Sequence, residues 1–297
     1  MKETRTFLEK LGLPGGDAYD LPTSSKRFSD GAQYRFEVPG IQGPGAMKAL
    51  LEELDAYEIP IHRVTQTKGI MMLTDGEMNE MVSLAKEWQV DLVLAIGPRA
   101  TYDTSASVLS SEGQRMGLRL RGQEQIVRAI EDVKRAVALG CYSFLLYDEG
   151  LLWVLNEMRT QDELPSKVKF KVSAHTGLGN PCAAKLLENL GATSVNPVRD
   201  LQLPMIAALR QAIDIAIDLH TENPASSGGF IRHYEVPEMI RVAAPLYLKT
   251  GGAVAKTHGW DTTAAEAKQR AKQVSLVKRV IDSYYPDSTA STRGSVD

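Results

Sequence analysis

The sequence predicts an α/β protein built as a single (β/α)8 TIM-type barrel domain, and three observations lead to this prediction. From Tyr34 onward, short β-rich runs alternate with amphipathic segments of helical periodicity, and eight such pairs occur. Eight units in about 250 residues match the usual size of this barrel. Polar residues fall at or near the C-terminal ends of all the runs, whereas the alternative, an open doubly wound sheet, concentrates its polar site at one switch point.

The eight strand-like runs are rich in β-branched and other apolar residues, as buried parallel strands usually are. In chain order they read YRFEV, IPIHRV, DLVLAIG, SFLLYD, KFKVSA, TSVNPV, IAIDLH and PLYLK. The segments after them space apolar residues three and four apart, which is typical of helices that cover a sheet. They begin with GAMKALLEELDAYE and end with the long AAEAKQRAKQVSLVKRVIDSYY. Asp75, Asn180 and Asp200 are predicted to cap three of the helices.

Residues 34–285 form the predicted barrel, and two short segments lie outside it. Residues 1–33 include the glycine- and proline-rich GLPGGDAYDLPTSSKRFSDG, which is predicted to lie as an arm over one end of the barrel. Residues 286–297 are expected to be a disordered tail. The third strand is followed by the long connection GPRATYDTSASVLSSEGQRMGLRLRGQ. We expect it to be either a lid over the barrel mouth or an insertion without a role.

The composition indicates a globular protein and excludes several classes of partner. The chain has 297 residues, of which 43% are hydrophobic and 24% are charged, and its net charge is -3. This charge argues against a nucleic-acid partner. No secretion signal is visible, and no apolar run approaches the roughly 18 residues of a membrane span, so we expect a cytoplasmic location. The two cysteines, Cys141 and Cys182, suggest neither a disulfide nor a metal site.

The stretch IAIDLHTENPASSGG carries ionisable residues on one face of a predicted strand. Successive side chains of a strand point to opposite faces, so Asp218, His220 and Glu222 share one side. In a barrel this side faces the interior, where unpaired charges would be very costly. The strand is therefore expected to pass from the core into a solvated active site within its own length.

Four residues are predicted to be catalytic, namely Glu37, His220, Glu222 and Lys249. The first three suit acid–base work. Lys249 could act as a point charge or, if burial lowers its pKa, as an amine that forms Schiff bases. His220 and Glu222 could also ligate a divalent metal, with His175 completing the site. The alternative is a buried histidine hydrogen-bonded to a neighbouring carboxylate.

A second set of residues is predicted to bind an anionic substrate. Arginine guanidinium groups suit carboxylates and phosphates, although structural ion pairs are the alternative. SSGG follows the seventh strand and TGG the eighth, where many barrels hold phosphate on backbone N–H groups, although glycine pairs are also common in turns. The predicted substrate-binding residues are Arg63, Arg99, His175, Asn196, Ser227, Gly228, Gly229 and Arg232.

Six segments occur in a familiar order: YRFEVPGIQGPGAMKALLEE, HRVTQTKGIMMLTDGEM, RGQEQIVRAIEDVKRAVALG, YDEGLLWVLNEMR, GATSVNPVRDL and GGFIRHYEVPEMIRVAAPLYLK. Over Tyr34 to Lys249 the chain resembles the collagenase-like (U-32) peptidase family. The resemblance implies a barrel, a cytoplasmic location and peptidase activity, but the cysteine signature of these peptidases is absent. Related RNA and quinone hydroxylation factors hold an iron–sulfur cluster on four cysteines. This chain has two, so we expect no cluster.

These observations together predict an enzyme that acts on a small anionic metabolite at the C-terminal mouth of the barrel. The reaction could be that of an acid–base lyase, an isomerase or a hydrolase. One alternative is a peptidase like those of the U-32 family, and another is a barrel that binds a small ligand without converting it. The expected partner is a small anionic substrate, with no nucleic acid and no membrane, and the sequence leaves a homo-oligomer open. Fold alone does not separate these functions.

Overall fold

The barrel is closed, as the sequence predicts. The computed structural model of the chain describes residues 1–10, 20–97, 110, 118–256 and 260–295. Eight parallel strands pair in chain order, and the last strand pairs with the first. The predicted (β/α)8 architecture is therefore confirmed, and the open doubly wound sheet is excluded.

Each strand of the barrel is short, and helices separate consecutive strands. The strands are β1 (Tyr34–Pro39), β2 (Arg63–Gln66), β3 (Asp91–Ala95), β4 (Ser143–Leu146), β5 (Lys169–Val172), β6 (Ser194–Val195), β7 (Ala216–His220) and β8 (Leu246–Lys249). The helices are α1 (Lys2–Lys10), α2 (Pro44–Ala56), α3 (Asp75–Glu87), α4 (Gly122–Ala138), α5 (Glu149–Thr160), α6 (Pro181–Asn189), α7 (Leu203–Ala212), α8 (Val236–Ala243) and α9 (Ala264–Tyr284). Within the described ranges, none of these helices combines the length and the apolar character that crossing a bilayer requires.

Of the three residues predicted to cap the start of a helix, one does so in the structure. The Asn180 side chain accepts a hydrogen bond from the Ala183 N–H at the start of α6, as predicted. At α3 the cap is Thr74, one residue before the predicted Asp75, because Thr74 forms a capping box with Glu77. Asp200 is not a cap, since α7 begins at Leu203, where the following proline favours the first turn.

Side chains along the strands point alternately toward the helices and toward the barrel interior, as a barrel requires. Ile217 and Leu219 of β7 belong to the main apolar core between the strands and the helices. Asp218 of the same strand contacts Arg63 of β2 and Lys171 of β5. Strands that are not neighbours meet only through the barrel interior, so this polar face of β7 points inward.

The N-terminal segment covers the N-terminal end of the barrel over residues 20–33. The Ser24 hydroxyl donates to the carbonyl of Ala244, which precedes β8 by two residues. The Lys26 ammonium donates to the carbonyl of Ile213, shortly before β7. The Phe28 ring packs edge-on against Tyr247 at the start of β8, with ring centroids 5.3 Å apart. This segment therefore closes the barrel end opposite the strand C-termini.

Residues 286–295 of the C-terminal segment, which the sequence predicted to be a disordered tail, contact the barrel. Ala290 pairs with Tyr34 in a parallel bridge beside β1. Ser291 is buried, its hydroxyl accepts a hydrogen bond from Arg35 Nε at 2.8 Å, and its carbonyl lies 2.8 Å from His62 Nε2. Polar and backbone contacts hold this segment, so it shows no apolar periodicity in the sequence. Burial lowers the pKa of His62 to about 4, so this imidazole is neutral and structural.

Candidate functional site

Charged side chains fill much of the barrel interior, where this fold usually places branched apolar residues. Three carboxylates and three cations meet there, each at most 9% exposed. We call them the ionic cluster, and its members are Glu37, Arg63, Asp91, Lys171, Asp218 and Lys249. Buried charges are tolerated when they are paired and hydrogen-bonded, and the equal numbers of both signs meet this condition.

Arg63 forms the part of the ionic cluster nearest the N-terminal end of the barrel. Its Nε lies 3.3 Å from Asp91 Oδ2, and its Nη1 lies 3.0 Å from Asp218 Oδ1. The guanidinium carbon stacks 3.5 Å from the ring centroid of Tyr247. The sequence places Arg63 near the end of a run, but β2 begins at this residue. Arg63 is therefore committed to ion pairs away from the mouth where it was predicted to bind substrate.

Lys171 links two carboxylates at the middle of the barrel, and sequence reasoning missed it. Its ammonium contacts Glu37 Oε2 and lies 3.0 Å from Asp218 Oδ2. Burial by itself raises the pKa of the Glu37 carboxyl, but the charges of Lys171, Lys249 and Arg63 outweigh it and bring this pKa to about 2. Glu37 is therefore ionised. The alternation in KFKV was an available signal, because it puts Lys171 on the inner face.

Lys249 ends β8 and is the member of the ionic cluster nearest the mouth. Its Nζ donates to Asn196 Oδ1 at 3.1 Å and lies 3.6 Å from Glu37 Oε1. Burial, followed by the charge of Lys171, lowers the pKa of Lys249 to about 8 despite the attraction of Glu37. At pH 7 about a tenth of this lysine is therefore the neutral amine, far more than for an ordinary lysine.

Arg199, in the segment between β6 and α7, contacts two histidines. Its Nε lies 3.4 Å from His220 Nε2, and its Nη2 lies 3.1 Å from His175 Nε2. A guanidinium can only donate, so both imidazoles accept at Nε2 and carry their proton on Nδ1. Burial, followed by the charges of Lys249 and Arg199, holds the pKa of His220 well below 6.5. Among the described side chains, no carboxylate pairs with Arg199.

These residues line a cavity at the C-terminal end of the strands, which we call the mouth cavity. The space between its walls is about 580 Å³ when the part that is open to solvent is included. Its polar wall includes His175, Asn196, Arg199, His220, Ser227, Lys249 and Arg270. The structure therefore brings together five residues that the sequence predicted for the site, and it adds others that the sequence did not, among them Arg199 and Arg270.

Arg270 of α9 shapes one side of the mouth cavity. Its Nη1 donates to the carbonyls of Pro39 at 2.9 Å and Gly251 at 2.7 Å, which ties β1 to the segment after β8. Gly40 adopts a φ of +75°, and a Cβ there would lie 3.1 Å from the guanidinium. Arg270 falls on the buried stripe of α9 between Ala267 and Val274, so a charged residue on an apolar stripe was the available signal.

Glu222 lies apart from His220, contrary to the predicted pairing. Its carboxylate accepts hydrogen bonds from the Gly251 N–H and the Thr221 hydroxyl, and it lies 3.1 Å from His233 Nε2. Glu222 is fully buried and does not line the mouth cavity. The alternation fails because β7 ends at His220 and Glu222 already belongs to a separate antiparallel bridge.

The metal site predicted from His220, Glu222 and His175 gains no support from this geometry. Over the ranges that the structure describes, no three histidine, cysteine, aspartate or glutamate side chains are grouped so that they could hold a metal ion. The pair of histidines at the mouth instead shares one guanidinium. A divalent metal therefore remains a prediction from sequence alone.

The SSGG turn was predicted to present backbone N–H groups to phosphate. The N–H groups of Ser227 and Gly229 both donate to the carbonyl of Pro224, at 2.8 and 3.0 Å. The N–H of Gly228 donates to the carbonyl of Ala225 at 3.2 Å. The turn satisfies these groups internally and does not offer them to a ligand. Ser227 contributes to the mouth cavity through its position on the wall.

Of two further arginines in the predicted substrate set, one lies away from the mouth cavity and the other is not among the described residues. Arg232 pairs with Glu235 at 2.6 Å and donates to the carbonyl of Arg199 at 3.4 Å, so it supports the backbone behind the site. Arg99 lies outside the described residues. So does most of the long connection that was predicted to be a lid or an insertion, apart from Gly97, Ser110 and the residues from Leu118 onward.

Comparisons with known proteins identify the fold only. No family model matches the chain, and no curated protein matches it. A dimeric archaeal Rubisco from Hyperthermus butylicus has 11% identity and a TM-score of 0.52, over 90% of this chain and 66% of that chain. A thiamine phosphate pyrophosphorylase from Pyrococcus furiosus has 11% identity and a TM-score of 0.49, over 84% and 98%. A U32 peptidase has 16% identity and a TM-score of 0.41, over 69% and 74%. The similarity to the Rubisco, with a TM-score above 0.5, supports a barrel and leaves its function to the geometry of the mouth.

Proposed function

We propose that the protein is an enzyme that binds a small anionic metabolite, a carboxylate or a phosphate, in the mouth cavity. The observation that carries this proposal is the environment of Arg199. Its guanidinium contacts two imidazoles, and among the described residues no carboxylate neutralises it. A partly buried guanidinium with this environment is a strong binding group for a carboxylate or phosphate oxygen.

The charge balance of the interior supports an anionic ligand. The ionic cluster contains as many carboxylates as cations, and Arg199 adds one positive charge beside it. The two imidazoles at Arg199 carry no negative charge, so they do not compensate the positive charge of the guanidinium. An anion in the mouth cavity would therefore find an excess of positive potential in a place where water is partly excluded.

Two groups at the same wall could convert the ligand as well as bind it. His220 Nδ1 carries a proton and is buried, and it has no hydrogen-bond partner in the described part of the chain. It can donate to a negative charge that develops on the substrate. Lys249, with a pKa of about 8, can gain or lose a proton near neutral pH. These two features favour an enzyme over a barrel that only binds its ligand.

Peptide hydrolysis has less support in this geometry. It would need an activated nucleophile or a metal-bound water. Cys141 is buried, and burial raises the pKa of its thiol to about 12, so it is a poor nucleophile. The mouth cavity has no cysteine on its wall, and the described residues offer no metal-binding group of three.

Calorimetric titration with oxalate and with inorganic phosphate tests the proposed function. The variant R199M should bind the better of the two at least about tenfold more weakly, because a charge-assisted hydrogen bond contributes about 1.5–3 kcal/mol. R128M is the matched control, since Arg128 is exposed on the outer helix α4. Equal affinity of R199M and R128M for the anion would contradict the proposal.

A further inference from the structure

We infer that Lys249 is a nucleophilic amine that condenses with the carbonyl group of a small 2-oxo acid in the mouth cavity. This inference rests on the proposed function, because it takes Arg199 as the group that holds the carboxylate of the substrate. It adds a substrate class and a covalent step to that function. Its basis is the difference between the two lysines of the ionic cluster.

Lys171 and Lys249 share one barrel interior but have different partners. The Lys171 ammonium contacts the carboxylates of both Glu37 and Asp218, and this lysine does not line the mouth cavity. The nearest oxygen to Lys249 Nζ belongs to the neutral amide of Asn196, at 3.1 Å. Glu37 Oε1 is 3.6 Å away, beyond hydrogen-bond length. Lys171 is therefore held as a structural cation, whereas Lys249 has a weakly held amine that faces the cavity.

The surroundings of Lys249 favour the uncharged amine that a nucleophile requires. Burial disfavours the ammonium form, and the neighbouring charges of Lys171 and Arg199 disfavour it further. Desolvation and an adjacent cation are the two known ways to activate a lysine toward carbonyl groups. Glu37 and Asp218 oppose these effects only in part, since the pKa of Lys249 still falls to about 8.

The arrangement around His220 suggests why the carbonyl should lie next to a carboxylate. In the barrel register His220 is paired with Lys249, and its Nε2 lies 3.4 Å from Arg199 Nε. The guanidinium and the lysine therefore both lie near one imidazole. A 2-oxo acid carries its carboxylate and its carbonyl on adjacent carbons, so it can reach both groups. The unpartnered His220 Nδ1–H is available to the carbonyl oxygen.

The condensation balances without any further reactant. The free amine of Lys249 attacks the carbonyl carbon, a C–N bond forms, and the π electrons move to the oxygen. The nitrogen lone pair then expels this oxygen as the C–O bond breaks. The two protons that the original ammonium loses leave with the oxygen as water, so the product iminium keeps the single positive charge.

Reductive trapping of the wild-type protein tests the inference. The protein is incubated with glyoxylate, pyruvate or 2-oxobutyrate and then with sodium borohydride, which delivers hydride to the iminium carbon. Intact mass and peptide mapping follow. We expect one adduct per chain on the peptide that contains Lys249, with a mass increase equal to the 2-oxo acid less one oxygen atom. Labelling should be at least about tenfold faster than at any surface lysine.

Two variants control for charge and for nonspecific labelling. K249R keeps a cation beside Glu37 and removes the nucleophile, so the adduct should disappear. K256R removes an exposed amine near the same opening, where Lys256 lies against Trp260, and labelling should be unchanged. Because mapping is done on the wild-type protein, the assignment does not depend on K249R being well folded.

The outcomes separate this inference from the proposed function. Binding of a 2-oxo acid by calorimetry without an adduct at Lys249 overturns the covalent step and leaves the anion site intact. An adduct on Lys171, or labelling spread over surface lysines, also overturns it. Failure of all three acids to bind or to label contradicts both this inference and the anion site for carboxylates.

Discussion

The Glu37 carboxylate holds the ionic cluster together, and its replacement by glutamine tests how much the cluster contributes to folding. Glu37 is fully buried and accepts a hydrogen bond from the Thr65 hydroxyl at 2.8 Å. Its other oxygen contacts Lys171 and lies 3.6 Å from Arg63. E37Q keeps the shape of the side chain but leaves these cations without one of their counter-charges. Removing one partner of a buried pair costs about 3–5 kcal/mol.

The pKa of Glu37 gives a second measure of how much its charge contributes to the stability of the folded state. The difference between its ordinary 4.5 and about 2 corresponds to about 3 kcal/mol of preference for the charged form in the folded state. A carboxyl with a lowered folded pKa contributes stability above its unfolded pKa and loses that contribution as the pH falls toward the folded value. The stability gap between wild type and E37Q should therefore be full at neutral pH and close between pH 4.5 and about 2.

Urea denaturation at neutral pH and at several acidic pH values measures this gap. E80Q is the matched control, because Glu80 is exposed on α3 and its replacement should change the free energy of unfolding by less than about 0.5 kcal/mol. If E37Q were as stable as E80Q at neutral pH, the assignment of Glu37 as the electrostatic centre of the interior would be wrong. A gap that did not change with pH would refute the lowered pKa.

Three further predictions concern the other buried groups. E222Q should lower the free energy of unfolding by about 1–3 kcal/mol in urea denaturation and leave anion binding within threefold, because Glu222 is a buried acceptor outside the mouth cavity. Deleting residues 287–297 should lower stability by at least about 1 kcal/mol, seen as a lower melting temperature, because His62 loses its contact with Ser291. An unchanged melting temperature would contradict that role. The rate of borohydride trapping at Lys249 should rise with pH and reach half its maximum near pH 8, because the ammonium does not react. A midpoint near 10.5, as in an ordinary lysine, would contradict the effect of burial.

The fold and part of the site could be predicted from the sequence because both follow from strand alternation. The eight alternating units were sufficient for the barrel, and the inward positions of Glu37, His220 and Lys249 follow from the period of two. The two-residue alternation predicts the direction of a side chain only for residues within a strand. Glu222 lies two residues past the end of β7, so its direction could not be extrapolated.

Residues on connecting segments were harder to predict. Arg199 lies between β6 and α7, where no periodicity states which way a side chain points. Its role depends on His175 and His220, which are distant in sequence and meet only in the closed barrel. Arg63 shows the opposite problem, because an error in the start of β2 moved it from the interior to the mouth. Boundaries of short strands depend on pairing with neighbours, which one sequence does not reveal.

The two ends of the barrel each hold a cavity, so the position of a bound anion tests the central claim most directly. The cavity at the N-terminal end has about 830 Å³ of space when the part that is open to solvent is included, and it is lined by residues that include Arg27, Lys169 and Asp214. A crystal structure with selenate, located by the anomalous scattering of selenium, distinguishes this cavity from the mouth cavity. We predict a peak within hydrogen-bond distance of Arg199, on the side of Lys249. A peak at the N-terminal end alone, with the mouth cavity holding only water, would contradict the anion site.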